Sequence, residues 1–220
     1  MSHFVGYVVV PSGTADLEAA VGKAVAKYDE ALEVPEYQQG CWCVGNVARG
    51  AGDAAADAEV GTIDSLRASF ARQNGADHPD ANALWKAHIA PWVAASARAA
   101  QAHPLNGKPD PECEECRGTG THPSTYNPDS KWDWFAIGGR WAGMLPRDRA
   151  TVASLRESND PNKVPFAFVD SRGAWHQRGE MGWWGCVSDE KARDEWAAEY
   201  RALLAAEQPR AIVVAVDFHI

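Results

Sequence analysis

The chain has 220 residues, 45% of them hydrophobic, enough to bury a core as one domain or as one domain carrying a large insertion. Its formal charge of −9 and pI of about 5.2 argue against broad binding to a nucleic-acid backbone, which draws on clustered Lys and Arg. No segment has the pattern of a signal peptide, and the apolar runs 4–11 and 211–216 are too short to cross a bilayer, so a cytoplasmic protein with no membrane partner is expected.

Residues 4–10 (FVGYVVV) are almost continuously apolar and rich in β-branched side chains, the pattern of a strand buried on both faces. Pro11-Ser12-Gly13 ends it, and Thr14 can cap a helix whose first turn carries Asp16 and Glu18. Leu17, Val21, Val25, Tyr28 and Leu32 recur at helical spacing and predict a helix running to about Glu33. Its end is acidic: Asp29, Glu30, Glu33 and Glu36 lie between Tyr28 and Tyr37. Such a string is either a solvated helix end or a set of carboxylates for catalysis or cation binding.

Residues 49–61 (RGAGDAAADAEVG) are rich in Ala and Gly and read as a mobile loop. Thr62 then caps a short helix with Ile63, Leu66 and Phe70 on one face, stopped at Asn74-Gly75. Asp80 starts another, which Pro91 should divide from an alanine-rich segment, since proline suits a helix's first turn and not its middle. A polar, Pro-rich loop follows from His103-Pro104 and holds Cys113 and Cys116.

Residues 126–145 (YNPDSKWDWFAIGGRWAGML) form the most unusual stretch, with Trp132, Trp134 and Trp141 beside Lys131, Asp133 and Gly138-Gly139-Arg140. Trp183 and Trp184, with Trp175, make a second concentration among ten tryptophans in all. After a loop through Asn159-Asp160-Pro161, residues 165–170 and 174–178 read as two strands of a hairpin turning at Ser171-Arg172-Gly173. Ser188 is the expected cap of a helix whose apolar face is Ala192, Trp196, Tyr200, Leu203 and Leu204. Residues 211–219 (AIVVAVDFH) form a last strand.

The order β-α-…-β-β-α-β predicts an α+β protein built on a ferredoxin-like split βαβ core, with first and last strands adjacent in an antiparallel sheet. Residues 1–35 and 162–220 would form that sheet core. Residues 36–161 would be an insertion carrying helices, a zinc knuckle and the Trp-rich loop, the whole one compact domain. The last strand would normally be an edge, so its apolar run implies that something covers it.

Three constellations could carry chemistry. The five cysteines fall as Cys41/Cys43, Cys113/Cys116 and a lone Cys186, and in a chain without a secretory signal two close pairs read as metal ligands. Cys41, Cys43, Cys113 and Cys116 would close a tetrahedral structural zinc site, with His103 or His122 able to replace one thiolate. The other readings are redox thiols and unliganded cysteines. In the Trp-rich stretch, Lys131 and Arg140 can hold an anion, Trp132 and Trp141 can stack on a flat group, and Gly138-Gly139 lets backbone amides approach a ligand. The same tryptophans could instead plug a core, with Asp133 paired to Arg140 or Lys131. Finally, Asp217 and His219 lie two apart on one face of the last strand, where a carboxylate can orient an imidazole or simply line an edge. Walker, Rossmann, nucleophile-elbow and H-E-x-x-H patterns are absent from the sequence.

The Cys113-x-x-Cys116-x-Gly-x-Gly unit resembles one copy of the zinc repeat of DnaJ-type chaperones. Those proteins use several copies, so their function is not implied. Tyr28-Asp29-Glu30, Asn127-Pro128-x-x-Lys131-Trp132-Asp133-Trp134, Gly138-Gly139-Arg140-Trp141 and Val216-Asp217-x-His219-Ile220 resemble blocks of proteins encoded by bacteriophages and actinobacteria. That resemblance implies a setting and no activity. Where such proteins carry Cys before the final His, this chain has Phe218, so no thiol role is implied there.

The expectation is therefore a phage-type accessory protein binding a small anionic ligand, a nucleotide best fitting the pattern, in a pocket walled by the Trp-rich loop. Lys131, Asp133, Gly138, Gly139 and Arg140 would meet the polar part and Trp132 and Trp141 the flat part. Asp29, Glu30 and His219 would be the acid–base groups of a hydrolase or transferase. The alternative is a non-enzymatic module that binds a host protein through exposed Trp and Arg patches.

Overall fold

The computed structural model describes residues 2–74, 81–158, 160–182 and 185–220. The helix stop at Gly75, the start at Asp80, the turn at Asn159 and the pair Trp183-Trp184 lie outside the described residues. In chain order the elements are β1 (His3–Val10), α1 (Leu17–Val25), β2 (Tyr37–Gly40), α2 (Asn46–Val60), α3 (Ile63–Asn74), α4 (Ala81–Ala102), β3 (Thr121–Ser124) and β4 (Trp134–Ile137). They continue with β5 (Arg149–Thr151), α5 (Val152–Arg156), β6 (Ala167–Val169), β7 (Trp175–Gln177), β8 (Glu180–Met181), β9 (Val187–Ser188), α6 (Arg193–Ala206) and β10 (Ile212–His219). The protein is α+β with a mostly antiparallel sheet. None of its described helices is long and apolar enough to cross a membrane.

The chain divides into two compact units, 1–35 with 125–220, and 36–124. This corrects the expectation of one domain with an insertion reaching 161. Residues 125–161 cannot be insertion, because they supply β4 and β5, which both pair with β10.

In the first unit the sheet order is β4-β10-β1-β6-β7, with β5 also on β10. β1 and β10 are antiparallel in full register from His3↔His219 to Val10↔Ile212, as two apolar, β-branched runs favour. The cover expected for β10 is real: β4 and β5 occupy its outer side, so the apolar strand is not an edge. The hairpin departs from a ferredoxin-like split. There its second strand would lie between the two parallel ones, whereas here β6 pairs directly and in parallel with β1, leaving β7 outermost.

Alternation along the two central strands divides the core. Phe4, Val8, Val214, Val216 and Phe218 join Val21 and Val25 of α1, Tyr28 and Trp132 on one face. Val5, Tyr7, Val9, Val213 and Ala215 join Val152 and Leu155 of α5 and Trp196, Tyr200 and Leu204 of α6 on the other. By the same alternation His3, Asp217 and His219 fall on this second face, beyond its apolar part.

Several boundaries moved for identifiable reasons. Helix α1 begins at Leu17 because Asp16, not Thr14, accepts the Ala19 N–H at 2.9 Å, and it tightens to a 3-10 turn at Ala26–Tyr28. Ser188 sits in β9, and α6 starts at Arg193.

In the second unit, the expected mobile loop is the helix α2. Alanine is the best helix former, and Ala48, Gly52 and Ala56 make a buried strip of small residues that lets α2 pack closely on α4. A Cβ on Gly52 would lie 2.5 Å from the Ser96 carbonyl oxygen. Pro91 does not divide α4. It is exposed, so the carbonyl left without a partner four residues earlier can be solvated within a continuous helix.

Candidate active site and metal centre

The candidate metal centre is built by the β2–β3 ladder of the second unit. Cys41 and Cys43 follow β2 directly, Cys113 and Cys116 precede β3, and pairing from Tyr37↔Ser124 to Gly40↔Thr121 brings the two short turns together. Each turn is closed by backbone bonds, Val44 N–H and Asn46 N–H to Cys41 and Cys43 carbonyls, and Arg117 N–H to the Cys113 carbonyl. Positive φ at Arg117, Gly118 and Gly120 turns the chain around the second pair.

All four Sγ atoms lie within 4.8 Å of one another, with Cys41–Cys113 at 3.7 Å and Cys43–Cys116 at 3.5 Å. A tetrahedral ion with sulfur arms of about 2.3 Å spaces its ligands by about 3.8 Å. The four thiols fit a metal ion, and neither His103 nor His122 is needed to complete the set. His103 accepts from Leu105 N–H, and His122 lies 3.5 Å from Glu115. The Cys43 backbone N–H favours the Cys41 thiolate, but burial and the neighbouring thiols outweigh it and push the Cys41 thiol up. For Cys116 burial also opposes the thiolate, but the Gly120 N–H and the other thiols outweigh it and bring the pKa down to about 6. Packing of that kind around one low-pKa sulfur is the environment that a cation completes.

The candidate active site lies on the second face of the sheet. Asp217 is 1% exposed and does not bond His219. Its Oδ1 lies 3.0 Å from Nδ1 of His3, and its Oδ2 accepts the Arg140 N–H at 2.9 Å. His219 uses Asp133 instead, with Nδ1 to Oδ1 at 2.6 Å. An ionised carboxylate can only accept, so each imidazole donates from Nδ1 and turns Nε2 away from its Asp. The rings of His3 and His219 meet edge to face with centroids 4.8 Å apart, and Trp134 stacks on His219 at 5.2 Å.

The Gly-Gly step serves this arrangement. Gly138 and Gly139 both have positive φ, and a Cβ at Gly139 would lie 2.5 Å from the Asp217 Cβ. A Cβ at Gly138 would lie 2.6 Å from Asp148 Oδ2, and Asp148 in turn accepts the Gly143 N–H. The glycines expected to admit a ligand instead leave room for the protein's own carboxylates, and the Gly138 N–H donates to the Ala215 carbonyl.

Beside His3 is a cavity of about 650 Å³, within the roughly 300–1,000 Å³ of typical ligand sites. Trp141 and Met144 line one part of it, Phe166 and Arg178 another, and Arg193 and Arg201 a third. Arg178 is committed to Glu190 and lies over the Phe166 ring. Arg193 and Arg201 are one helical face of α6, eight residues apart, and among the described residues neither has an ion-pair partner.

The remaining expected residues are dispersed. Trp132 is the core plug, in the cluster on the opposite face with its Nε1 donating to the Val25 carbonyl. Lys131 pairs with Glu180 at 2.9 Å, and that contact, with Gln177, outweighs burial to hold the Glu180 carboxyl below its usual range. Arg140 contributes its backbone, its side chain being exposed. Asp29 and Glu30 anchor the Trp-rich segment: Asp29 bridges Trp132, Glu30 N–H donates to the Trp132 carbonyl, and the Asp29 carboxylate accepts the Ala31 N–H. They are not joined to His219 by any bond among the described residues.

His3, Arg193 and Arg201 were not singled out in the sequence. The only signals were a polar residue opening an otherwise apolar strand and two arginines on one helix face. Comparison with known proteins finds no matching family model, curated protein or solved structure.

Proposed function

We propose that the first unit binds a small anionic ligand, a nucleotide fitting best, in the cleft lined by His3, Trp141, Arg193 and Arg201. The observation that carries this is the pair of guanidiniums, without an ion-pair partner among the described residues, facing a ligand-sized cavity beside an indole. Arginine forks match phosphate oxygens, and an indole offers a face to a base. The Trp-rich segment is then a wall through Trp141 and Met144, and its other residues hold the site in place. We further propose that the four cysteines hold zinc, since a closed set of four thiolates is its common structural site. A phage-type accessory role remains the setting that the sequence blocks suggest.

Thermal unfolding against a panel of nucleotides tests the binding. A true ligand at about a hundred times its dissociation constant stabilises by about 2.7 kcal/mol. The gain should shrink in Arg193→Ala and Arg201→Ala. No gain with any nucleotide removes this reading. One observation favours a protein-binding module instead: Trp134 and Trp141 are 43% and 36% exposed beside the exposed Arg140. For that reading, loss of a host partner in Trp134→Ala, with the cleft arginines intact, is the expected result.

A further inference from the structure

The cleft has more than an anion site requires. His3 opens onto it, and His219 stands one strand away with its ring against that of His3. Each imidazole has a separate carboxylate on Nδ1, and each carboxylate is fixed by a different part of the Trp-rich segment. Asp133 is in that segment itself, and Asp217 is clamped by the Arg140 N–H under the Gly-Gly step. A protein that only binds an anion has no need to orient two imidazoles with one free nitrogen each.

We propose that His3 and His219 are a general base and general acid pair that cleaves a phosphodiester held by Arg193 and Arg201. This rests on the anion-binding reading above. Water attacks phosphorus and its proton passes to Nε2 of the neutral imidazole. The new P–O bond forms as the bond to the leaving oxygen breaks, and that oxygen takes the proton from Nε2 of the protonated imidazole. The products are a phosphate monoester and an alcohol. The two imidazoles end with exchanged protonation states, which solvent restores. Asp217 and Asp133 are positioning residues that keep each Nδ1 protonated and each Nε2 turned away from its carboxylate.

Two probes separate the roles. Bis(4-nitrophenyl) phosphate releases a phenolate that needs no proton, whereas a nucleoside 2′,3′-cyclic phosphate releases an alkoxide that does. His3→Asn and His219→Asn keep a donor for Asp217 and Asp133 but lack the second ring nitrogen. Wild-type protein should cleave both esters. One variant, having lost the base, should fall on both by about 10²- to 10⁴-fold, while the other should fall comparably on the cyclic nucleotide and keep most nitrophenyl activity. His219→Asn, whose residue does not line the cleft, should keep the nucleotide-induced rise in unfolding temperature. If His219→Asn does not fold, a His3→Asn protein with undiminished cleavage of the cyclic nucleotide overturns the pair. So does equal loss on both esters in both variants, the mark of a merely structural role. A wild-type protein that binds nucleotide and cleaves neither ester overturns the proposal and leaves the binding reading standing. No nucleotide binding at all removes both.

Discussion

The Asp217 carboxylate is bonded to His3 on the neighbouring strand, at 3.0 Å, and not to His219 two residues along its own strand. In the β1–β10 register His3 faces His219 and lies diagonally from Asp217, a separation of about 7–8 Å that long side chains can still span. His219 therefore takes Asp133 from β4's leading edge, and one apparent dyad becomes two.

Removing that carboxylate should be costly. Asp217→Ala leaves the Arg140 N–H and the His3 Nδ1 donor without their acceptor in a site that is 1% exposed. Each orphaned buried group costs about 1–3 kcal/mol. Urea unfolding should show a loss in that range or above it. A change under about 0.5 kcal/mol, typical of an uninvolved surface position, would show that the clamp holds nothing.

The glycine step makes a paired prediction. In Gly139→Ala the new methyl meets Asp217 at 2.5 Å and φ is +51°, so both contact and backbone resist it. Gly143 has φ +87° but nothing within 4 Å, so only the backbone resists there. Gly143→Ala should cost about 1–3 kcal/mol and Gly139→Ala clearly more. Equal midpoints in a denaturant titration would mean that the Asp217 contact relaxes freely.

Trp132 and Trp134 are neighbours with opposite consequences. Trp132 is in the core beside Phe135 and Phe218, and Trp132→Ala should cost about 3–5 kcal/mol. Trp134 is 43% exposed and stacked on His219, so Trp134→Ala should cost less than half as much. Comparable losses in calorimetry would contradict the assignment of the two faces.

What the sequence made legible followed the range over which its signals act. β1 and β10 were plain because long apolar runs need no partner to be recognised. Strand β4 was hidden inside a stretch that looked irregular, since Trp134–Ile137 becomes a strand only by pairing with β10. Residues 49–61 carry a loop-like Ala/Gly composition, yet they form α2, where Gly52 is required by the closeness of α4. The cysteine set was legible from spacing alone. The site on the sheet was legible only in part: Asp133, Asp217 and His219 stood out, but their pairing spans most of the chain, and His3 has no local pattern to mark it. Asp29 and Glu30 were drawn by their density of charge, and their task is to tie down Trp132.

Metal content gives the next prediction. Protein purified without added metal should hold about one equivalent, and Cys113→Ser should lower it. Thiols must shed their protons to bind as thiolates, so affinity should fall as pH falls. Chelation should loosen the 36–124 unit, since the β2–β3 ladder alone is a short two-stranded ribbon. A content below about half an equivalent that Cys113→Ser does not change would remove the metal from this description.

Asp170 should govern part of the acid stability. Its carboxylate is 3% exposed, and burial works against its charge. The Ala174 N–H, the Arg172 side chain and the Arg172 N–H outweigh that burial and hold its carboxyl below the usual range. A carboxyl whose folded pKa is depressed contributes stability that is fully present above the unfolded value of about 3.9 and is lost as pH falls through the lower folded value. Wild type should therefore exceed Asp170→Asn in stability at pH 7 by about 1–3 kcal/mol, because the amide loses the charge-assisted bonds at the β6–β7 turn. The gap should begin to narrow below about pH 4 and close as pH falls through the lower folded value, where the wild-type carboxyl is neutralised. Unfolding free energies at pH 7, 5, 4 and 3 would measure this directly. A gap that stays constant down to pH 3 would mean that the contribution comes from the shape of the turn and not from the charge of Asp170.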